Sequence, residues 1–573
     1  MFRKNNSYHQ QDLFGVSQQL TKKQQEQFEA SIEHRFFEEI FCNIDEQRFS
    51  VLYTDKKSRP NVPVNQLVGS LILKHLFDWT YEELFKHMSF NLLTRHAIGI
   101  DRLDTDIFAE ASLFNFQNRL LKHYVESGQD LLMEVFDSLT SKQLDRFGIK
   151  ADIQRGDSFL IGSNIVDYNR LQLLIEVLKR FYRVLEEQDK KAYKHCFDAY
   201  LRKSSGQYIY RVEKADLSDE LNKLGVHYHK LHLALVDKYS EINAFKVFSR
   251  VYHEHFCIVS DKVAVRAANE LNSSILLSPD DTEATFRDKN GKKSKGYVGH
   301  LSETINPHNQ FQLITDVTTE PNNIGDAEIL EKRLPDMIIK TPELKEYFSD
   351  GQYGGPKSDK IMHKNNIKQY QSGIRGKRSA AGIRIHQKQD DSVWVKCNGG
   401  QDVQAVKRRG WSASFDFAIC NSCPLASKCN TKLLGVKKRK PRRVWYFQQR
   451  HILAHLRINN FDTLPKEKKT LRASVEASVR QLQCGMKNGK VRVRTKLRID
   501  AYIILTAIAI NLKRIHVGVI DELNRYLNYL FQIQDHSLLK GNYNKIEITN
   551  FIIKNQASLE NNNFSLIFNN RSF

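Results

Sequence analysis

A few strand-like segments, separated by long helical stretches, constrain the fold of this 573-residue chain more than any other feature. Residues 153–165 are short, β-leaning and flanked by glycine, and β-rich segments return at residues 296–304 and 311–318. Between the first two segments, residues 167–268 carry apolar side chains at intervals of three and four, which is the period of a helix. The pattern predicts an α/β chain in which a helical insertion interrupts the strands.

Residues 1–150 are predicted to form a helical domain. Within residues 63–76, Val64, Leu67 and Leu71 recur at near-helical intervals. A helix-turn-helix that reads DNA and a domain that only packs both fit this pattern. The segment is not basic, so DNA binding by this domain stays an open alternative.

The positive charge of the chain is concentrated in one region. Residues 351–520 contain 36 Lys and Arg against 9 Asp and Glu, whereas the remainder contains 51 against 57, so that the net charge of +21 comes from this region alone. A basic surface of this kind favours nucleic acid over a membrane surface or an acidic protein as the partner.

One carboxylate stands out inside the basic region. Residues 468–498 carry ten basic residues and a single acidic one, Glu476. A carboxylate among cations suits a divalent metal held against a polyanion, as phosphoryl chemistry on nucleic acid requires. Glu476 also lies four residues from both Arg472 and Arg480, so ion pairs on a helix surface are the simpler alternative.

Two further carboxylates lie at the boundaries of predicted strands. Asp157 follows Arg-Gly, and Asp350 opens an Asp-Gly-Gln-Tyr sequence. Cleavage and joining of phosphodiesters uses Mg²⁺ held by a few convergent carboxylates. Each aspartate is also typical of a turn, so their function depends on whether the fold brings them together with Glu476.

Five motifs follow one another along the chain. They are Asp157-Ser with Ser163-Asn-Ile, Gly296-Tyr-Val-Gly-His-Leu-Ser-Glu-Thr followed by Leu313-Ile-Thr-Asp-Val, Asp350-Gly-Gln-Tyr, Arg472-Ala-Ser-Val-Glu476, and Asn511-Leu-Lys-Arg514. From about residue 60 to residue 515, the chain resembles the DDE transposases of bacterial insertion sequences. The most similar branch has a helical N-terminal domain, a helical insertion after the first Asp and a cysteine-bearing insertion before the Glu.

This resemblance implies a ribonuclease-H-like catalytic core with Asp157, Asp350 and Glu476 as its catalytic triad and Mg²⁺ (or Mn²⁺) ligands. It also implies a DNA transposase that binds the ends of its mobile element, which are double-stranded DNA, and catalyses strand cleavage and strand transfer into target DNA. Pairing two ends requires a dimer or a higher assembly.

The chain departs from the family pattern at several positions. Phe159 and Gln352 replace the usual Thr and Gly. Some related groups place a Tyr and a Lys around the last carboxylate, where this chain has Lys469 and Gln483. Asp316 is the rival for the second aspartate, and Asp350 is preferred because it follows a strand end.

Basic side chains near the triad and in the cysteine-bearing insertion are the expected DNA contacts. The first group is Arg472, Arg480 and Lys487, and the second is Lys437, Lys438, Arg439, Arg442 and Arg443.

Four of the eight cysteines cluster within 33 residues. Cys420 and Cys423 form a C-x₂-C pair, Cys429 supplies a third thiol, and Cys397 supplies the fourth. The spacing predicts a structural Zn²⁺ site, with a redox pair or chance clustering as the alternatives.

These patterns predict five segments. They are a helical domain at 1–150, the first part of the core at 151–353 with its insertion at 167–268, a basic, cysteine-bearing and loop-rich insertion at 354–465, C-terminal core helices at 466–520, and a tail at 521–573. The polar N-terminus and the short apolar stretch at 501–512 predict a cytoplasmic, nucleoid-associated protein without a membrane partner. The functional alternatives are a zinc-containing DNA-binding protein with an inactive core, and a ribonuclease-H-like nuclease without strand transfer.

Overall fold

The computed structural model describes residues 1–9, 15–54, 56, 59–289, 291–372, 382–388, 390, 392–435 and 441–535. These residues form two compact units. The first unit combines Met1–Ala151, Glu303–Thr315 and the chain from Ile504 onward, and the second combines Asp152–Ser302 with Asp316–Ile503.

The N-terminal segment of the first unit is helical throughout its described part. Its α-helices are α1 (Lys22–Glu29), α2 (Ile32–Glu39), α3 (Val64–Leu76), α4 (Tyr81–Phe90), α5 (Leu92–Ala97), α6 (Glu110–Ser127) and α7 (Leu131–Arg146). Short 3₁₀ helices lie at Ser7–His9, Val16–Gln19, Phe41–Asn43 and Glu46–Leu52. Helix α4 begins at a capping box in which Thr80 and Glu83 satisfy each other's backbone N–H groups.

The buried helix α3 begins without a capping side chain of its own. Instead, the Glu46 carboxylate accepts hydrogen bonds from the N–H groups of Val64 and Asn65 at 2.9 and 3.3 Å, and from that of Asn5 at 2.8 Å. Burial raises the pKa of Glu46, although these three hydrogen bonds oppose that shift. An acidic side chain at this position suits the positive end of the helix dipole.

The second unit contains both strands and helices, which confirms the α/β class. Its strands are β1 (Ile153–Gly162), β2 (Phe256–Val259), β3 (Lys262–Val265), β4 (Thr285–Lys289), β5 (Lys292–Thr304), β6 (Ile314–Pro321), β7 (Glu346–Asp350), β8 (Lys368–Ser372), β9 (Arg384–Gln387), β10 (Val393–Lys396), β11 (Asp402–Lys407), β12 (Trp411–Asp416), β13 (Lys432–Leu434) and β14 (Arg442–Phe447). Strands β5 and β6 each have one end in the first unit.

The helices that follow α7 complete the chain. They are α8 (Arg170–Val184), α9 (Glu187–Ala192), α10 (Lys194–Leu201), α11 (Ser205–Ile209), α12 (Leu217–Tyr239), α13 (Asn243–His255), α14 (Asp326–Lys340), α15 (Pro356–Lys364), α16 (Phe417–Asn421), α17 (Gln449–Asp462), α18 (Lys466–Lys469), α19 (Val475–Gln483) and α20 (Lys496–Asp535). Short 3₁₀ helices lie at Ala268–Glu270 and Ala426–Lys428.

The main sheet of the second unit has six strands in the order β4-β5-β1-β7-β8, with β6 also paired to β5. Strands β1, β7 and β8 run parallel, whereas β4 and β5 are antiparallel. Parallel neighbours need long crossover connections, and helices α14 and α15 lie in the connections that flank β7.

The connection between β1 and β4 holds helices α8–α13 and the hairpin β2–β3. Their apolar faces form one core that includes Leu178, Phe181, Tyr228 and Phe248. The Tyr228 hydroxyl donates to the Leu174 carbonyl oxygen at 2.7 Å, which satisfies a polar group inside this core.

The basic, cysteine-bearing segment is more ordered than its sequence indicates. Its described residues form a second sheet in the order β13-β14-β12-β11-β10-β9, in which all strand pairs are antiparallel. The expectation of a loop-rich subdomain is wrong here. Its strands are short and bury few side chains, such as Ile385, Val393 and Val395, so the period-2 signal is weak.

Within the described part of the chain, one helical segment, Lys496–Arg525, is long and apolar enough to cross a membrane by length and composition. However, 67% of its apolar window is buried inside the protein, as expected of a core helix. The apolar stretch at 501–512 lies within this helix, which continues beyond Lys513 and Arg514 with further buried residues such as Ile515.

Candidate active site

Asp157 lies in the middle of β1 with its side chain 15% exposed. One carboxylate oxygen accepts a hydrogen bond from the Ser158 N–H at 2.9 Å. Burial raises the pKa of Asp157, while the nearby Arg472 guanidinium acts in the opposite direction. The carboxylate therefore occupies a poorly hydrated position that a cation would stabilise.

Asp350 is the last residue of β7, and its side chain is 22% exposed. Its Oδ1 atom accepts the Gln352 N–H at 2.8 Å, which is the turn geometry expected of an Asp-Gly sequence. Its Oδ2 atom faces Arg472 instead. The turn and a functional role are therefore compatible in this residue.

The pairing of β1 with β7 places the two aspartates beside each other. Arg155 is aligned with Phe348 in the parallel ladder. Two residues further along each strand, Asp157 and Asp350 stand at the same level on adjacent strands. The negative charge on Asp350 contributes to the raised pKa of Asp157, as expected for carboxylates that are close in space.

Arg472 joins the two carboxylates. Its Nη2 atom lies 3.2 Å from Asp157 Oδ2 and 4.0 Å from Asp350 Oδ2, and its side chain is 27% exposed. The Nε atom of Arg472 is buried and has no hydrogen-bond partner among the described residues. The guanidinium is thus the positive charge that compensates this carboxylate pair.

Glu476 occupies the first turn of α19 and is exposed. The helix itself is fixed against β1, because the Gln483 side-chain amide donates to the Leu160 carbonyl oxygen at 3.2 Å and Leu482 is buried. Arg155 donates to the Leu471 carbonyl oxygen and to Ser474 Oγ just before this helix. The structure therefore brings Asp157 and Asp350 together, but it does not bring the Glu476 carboxylate into the pair.

Among the described residues, no group of three or more His, Cys, Asp or Glu side chains is arranged to hold a metal ion. Nevertheless, two carboxylates with oxygen atoms around one cation are the donor type that Mg²⁺ and Mn²⁺ prefer. Asp157 and Asp350 fit such a site with respect to donor chemistry. A third protein ligand would have to approach from elsewhere.

The rival aspartate, Asp316, has a different environment. It is fully buried on β6, and its oxygens lie 2.5 and 3.1 Å from Arg333 and 3.3 Å from Lys340. Burial opposes ionisation, but the two cations, Arg333 most strongly, hold the pKa of Asp316 below its usual range. Both of its oxygens are already engaged by Arg333, which indicates a structural ion pair.

A buried histidine that was not among the sequence-predicted site residues contacts the strand of Asp157. His300 on β5 is 2.8 Å from the Tyr353 hydroxyl and also forms a hydrogen bond with the backbone of Asp157. Burial lowers the pKa of His300 to about 4, so the imidazole is neutral at pH 7. It links the strand of Asp157 to the turn that follows Asp350. Its position within the Gly296–Thr304 motif was the available signal.

Glycine at position 156 permits the close packing of this layer. A Cβ atom added to Gly156 would lie 1.9 Å from the Tyr347 hydroxyl oxygen. No side chain larger than hydrogen fits there without displacing β1 or Tyr347. The Arg-Gly-Asp sequence therefore serves strand packing next to the catalytic candidate.

The predicted DNA contacts differ in their surroundings. Arg480, Lys487 and Arg442 are exposed. Arg443 is half-buried, and its guanidinium lies 3.4 Å from both the Ala426 carbonyl oxygen and Thr431 Oγ1. Arg443 is therefore directed toward its own subdomain. Lys437, Lys438 and Arg439 lie outside the described residues, as does most of the predicted tail at 521–573.

The four clustered cysteines line one cavity of about 30 Å³. A Cβ atom on Gly399 would lie 3.2 Å from Cys423 Sγ and 3.5 Å from Cys397 Sγ. Cys420 Sγ accepts a hydrogen bond from the Gln401 amide at 3.3 Å, and Cys429 Sγ accepts one from Thr431 Oγ1 at 3.3 Å. The tertiary structure thus gathers these thiols, although among the described residues they do not form a metal-holding group.

Two regions of the chain match known protein families. Residues 389–516 match the transposase DDE domain, and residues 22–119 match a transposase domain (DUF772). Searches of curated proteins and of solved structures gave no match. Both matched families are transposase domains, which confirms the resemblance to DDE transposases of insertion sequences. The first match contains Glu476 and the four cysteines, but neither Asp157 nor Asp350.

Proposed function

We propose that this chain is a DNA transposase that binds the ends of an insertion sequence and catalyses strand cleavage and strand transfer. The observation that carries the proposal is the pair of carboxylates, Asp157 and Asp350, held level on adjacent parallel strands beside one cation. The matches to two transposase domains support the same function.

The catalytic core would have a ribonuclease-H-like fold. In chain order, the strands β1, β5, β6, β7 and β8 would be its five core strands. Strand β1 has β5 on one side and β7 on the other, β6 pairs with β5, and β8 pairs with β7. This order supports the proposed fold, because it places the first and fourth strands, which carry the two aspartates, side by side.

Asp157 and Asp350 would hold a divalent cation, Mg²⁺ or Mn²⁺, with Glu476 as the third ligand. When bound, such a cation activates an attacking oxygen and stabilises the leaving oxygen of a phosphodiester. The protein's own residues would position the carboxylates and exclude part of the water around Asp157, while the Arg472 guanidinium opposes the effect of burial on the Asp157 pKa. Arg472 lies in the turn before α19, and Glu476 follows it in the first turn of that helix.

Exposed cations would bind the DNA backbone. Arg480 and Lys487 lie near Glu476 in sequence, and Arg442 belongs to the cysteine-bearing subdomain. Double-stranded DNA, as mobile-element ends and as target, would be the partner, in a dimer or higher assembly that joins two ends. The protein would act on nucleoid DNA in the cytoplasm, without a membrane partner.

Cleavage and joining of DNA that carries the mobile-element ends test the proposal. We expect Asp157→Asn, Asp350→Asn and Glu476→Gln each to abolish Mg²⁺-dependent cleavage while end binding in a gel-shift assay persists. Glu467→Gln removes an exposed carboxylate of the same basic region and serves as the matched control.

Each alternative has its own outcome in this assay. If any one of the three variants cleaves DNA at the wild-type rate, the substituted residue does not belong to the triad. End binding without cleavage by the wild-type protein would favour a DNA-binding protein with an inactive core. Cleavage without joined products would favour a nuclease that lacks strand transfer.

The four clustered cysteines would hold a structural Zn²⁺ ion. Support comes from their common cavity and from the preference of Zn²⁺ for thiolate ligands. We expect about one zinc per chain in purified protein by elemental analysis. Cys420→Ser should lower that ratio, whereas Cys484→Ser, which removes an exposed thiol elsewhere, should not. Zinc-free protein of unchanged stability would contradict the site.

A further inference from the structure

The cation that the structure places between the two aspartates is a side chain of the protein itself. We propose that Arg472 is a built-in counter-ion that occupies the carboxylate pair until a divalent cation displaces it. The inference rests on the proposed function, and it adds that Arg472 and the metal ion compete for the same carboxylate oxygens.

The geometry makes Arg472 a competitor for the same oxygen atoms. Its Nη2 atom contacts Asp157 Oδ2 at 3.2 Å and approaches Asp350 Oδ2 at 4.0 Å. Two carboxylates on adjacent strands repel each other, and a shared guanidinium relieves that repulsion. A divalent cation bound to the same Oδ2 atoms cannot coexist with a guanidinium at this distance.

The contact is suited to exchange. The backbone around Arg472 is held in place because Arg155 binds Leu471 and Ser474 on either side. The side chain, in contrast, is 27% exposed, and its guanidinium makes one close contact, to Asp157, and one longer contact, to Asp350. Solvent therefore reaches the guanidinium, and rotation of the side chain exchanges its partners while the flanking backbone stays in place.

The ion pair of Asp316 with Arg333 is a structural contact with which the contact of Arg472 can be compared. Asp316 is fully buried, and Arg333 contacts both of its oxygens. Arg472 instead makes one close and one longer contact at a partly open position. A DNA phosphate is the natural acceptor for the displaced guanidinium.

Binding of Mn²⁺ to the full-length protein without DNA, measured by titration calorimetry or by electron paramagnetic resonance, tests the proposal. Arg472→Met removes the competitor and keeps most of the apolar stem. We expect it to bind Mn²⁺ on the order of tenfold more tightly than the wild type, which corresponds to about 1.4 kcal/mol. Arg492→Met, which removes an exposed cation of the same basic segment, should leave the affinity unchanged.

A second readout requires no metal. The Arg472→Met variant should melt at a lower temperature than the wild type in a chelator, and Mn²⁺ should remove that difference. If Arg472→Met does not fold, Arg472→Gln, which keeps hydrogen-bond donors without the charge, is expected to show the same tightening.

Equal or weaker Mn²⁺ affinity in the Arg472 variants would overturn the counter-ion role, provided that Asp157→Asn abolishes binding. If the wild type and Asp157→Asn bind Mn²⁺ equally, the metal site itself is absent, and the proposed function fails with it. The two failures are therefore distinguishable.

Discussion

Single side chains in this protein owe their roles to their neighbours. Asp316 and Asp350 are both aspartates at strands of one sheet, yet the first is saturated by Arg333 and Lys340, whereas the second keeps one oxygen directed toward Arg472. A saturated carboxylate stabilises the fold. A carboxylate with an exchangeable partner is available to a ligand.

Replacing each of these aspartates separates the two roles. Asp316→Asn removes the buried negative charge that contacts both Arg333 and Lys340, so we expect a loss of about 3 kcal/mol in the free energy of unfolding. Asp350→Asn should cost less than about 1 kcal/mol, because its ion pair is longer and partly solvated. Urea unfolding measures both values. A smaller loss for Asp316→Asn than for Asp350→Asn would contradict this assignment.

Gly156 is the residue whose size matters most beside Asp157. We expect Gly156→Ala to destabilise the protein by about 2 kcal/mol, because its Cβ atom would overlap the Tyr347 hydroxyl. Tyr347→Phe removes that oxygen and should restore part of the loss in the double variant, leaving the contact of 2.9 Å to the ring. Thermal unfolding of both variants measures the effect, and additive losses would disprove the clash.

Among the secondary-structure elements, α19 depends on β1 for its position. Arg155 on β1 binds the turn before the helix, and Gln483 at the other end of the helix binds Leu160 of the same strand. These two contacts are far apart in sequence and close in the fold. They fix the backbone from which Arg472 and Glu476 project.

Arg155→Met should loosen this arrangement while keeping the buried stem. We expect faster hydrogen exchange over residues 470–483 and a loss of roughly 1–3 kcal/mol in stability, because the carbonyl oxygen of Leu471 loses its charged donor and retains the Ser474 hydroxyl at 3.3 Å. Exchange mass spectrometry measures the local effect. Arg492→Met is the control for charge, and unchanged exchange in Arg155→Met would show that the helix does not need this contact.

For the molecule as a whole, histidines with lowered pKa values make folding sensitive to mild acid, and of these His255 is buried whereas His75 and His96 are half-buried. Burial lowers the pKa of His75 and His96 to about 3 and that of His255 to about 4. The unfolded chain would protonate these groups near pH 6.5, whereas the folded chain would not. Their contribution is thus complete above pH 6.5, and it is lost progressively as the pH falls toward the folded values.

The free energy of unfolding should therefore decrease between pH 7.5 and pH 5, by about 1.4 kcal/mol per pH unit for each histidine below pH 6.5. His75, which lies 3.0 Å from Thr506, is the simplest to remove. In His75→Gln, the free energy of unfolding should depend less steeply on pH, because unfolding then takes up one proton fewer. His363→Gln, at an exposed histidine, is the control, and an unchanged slope in His75→Gln would contradict the prediction.

The sequence by itself determined the α/β class, the helical character of the N-terminal region, the concentration of basic charge and the order of the transposase motifs. These properties are local or compositional, so neighbouring residues are enough to reveal them. The six-stranded sheet of the cysteine-bearing segment was not predicted, because short and mostly exposed strands show little alternation of apolar and polar residues.

Only the tertiary structure decided which carboxylates meet. The register of β1 with β7 pairs residues almost two hundred positions apart, and no local pattern encodes such a pairing. Burial separated Asp316 from Asp350, and packing of α19 on β1 brought Arg472, rather than Glu476, to the aspartate pair. Long-range pairing and desolvation are properties of the folded chain, and they give acidic residues that look alike in the sequence different charges and contacts around them.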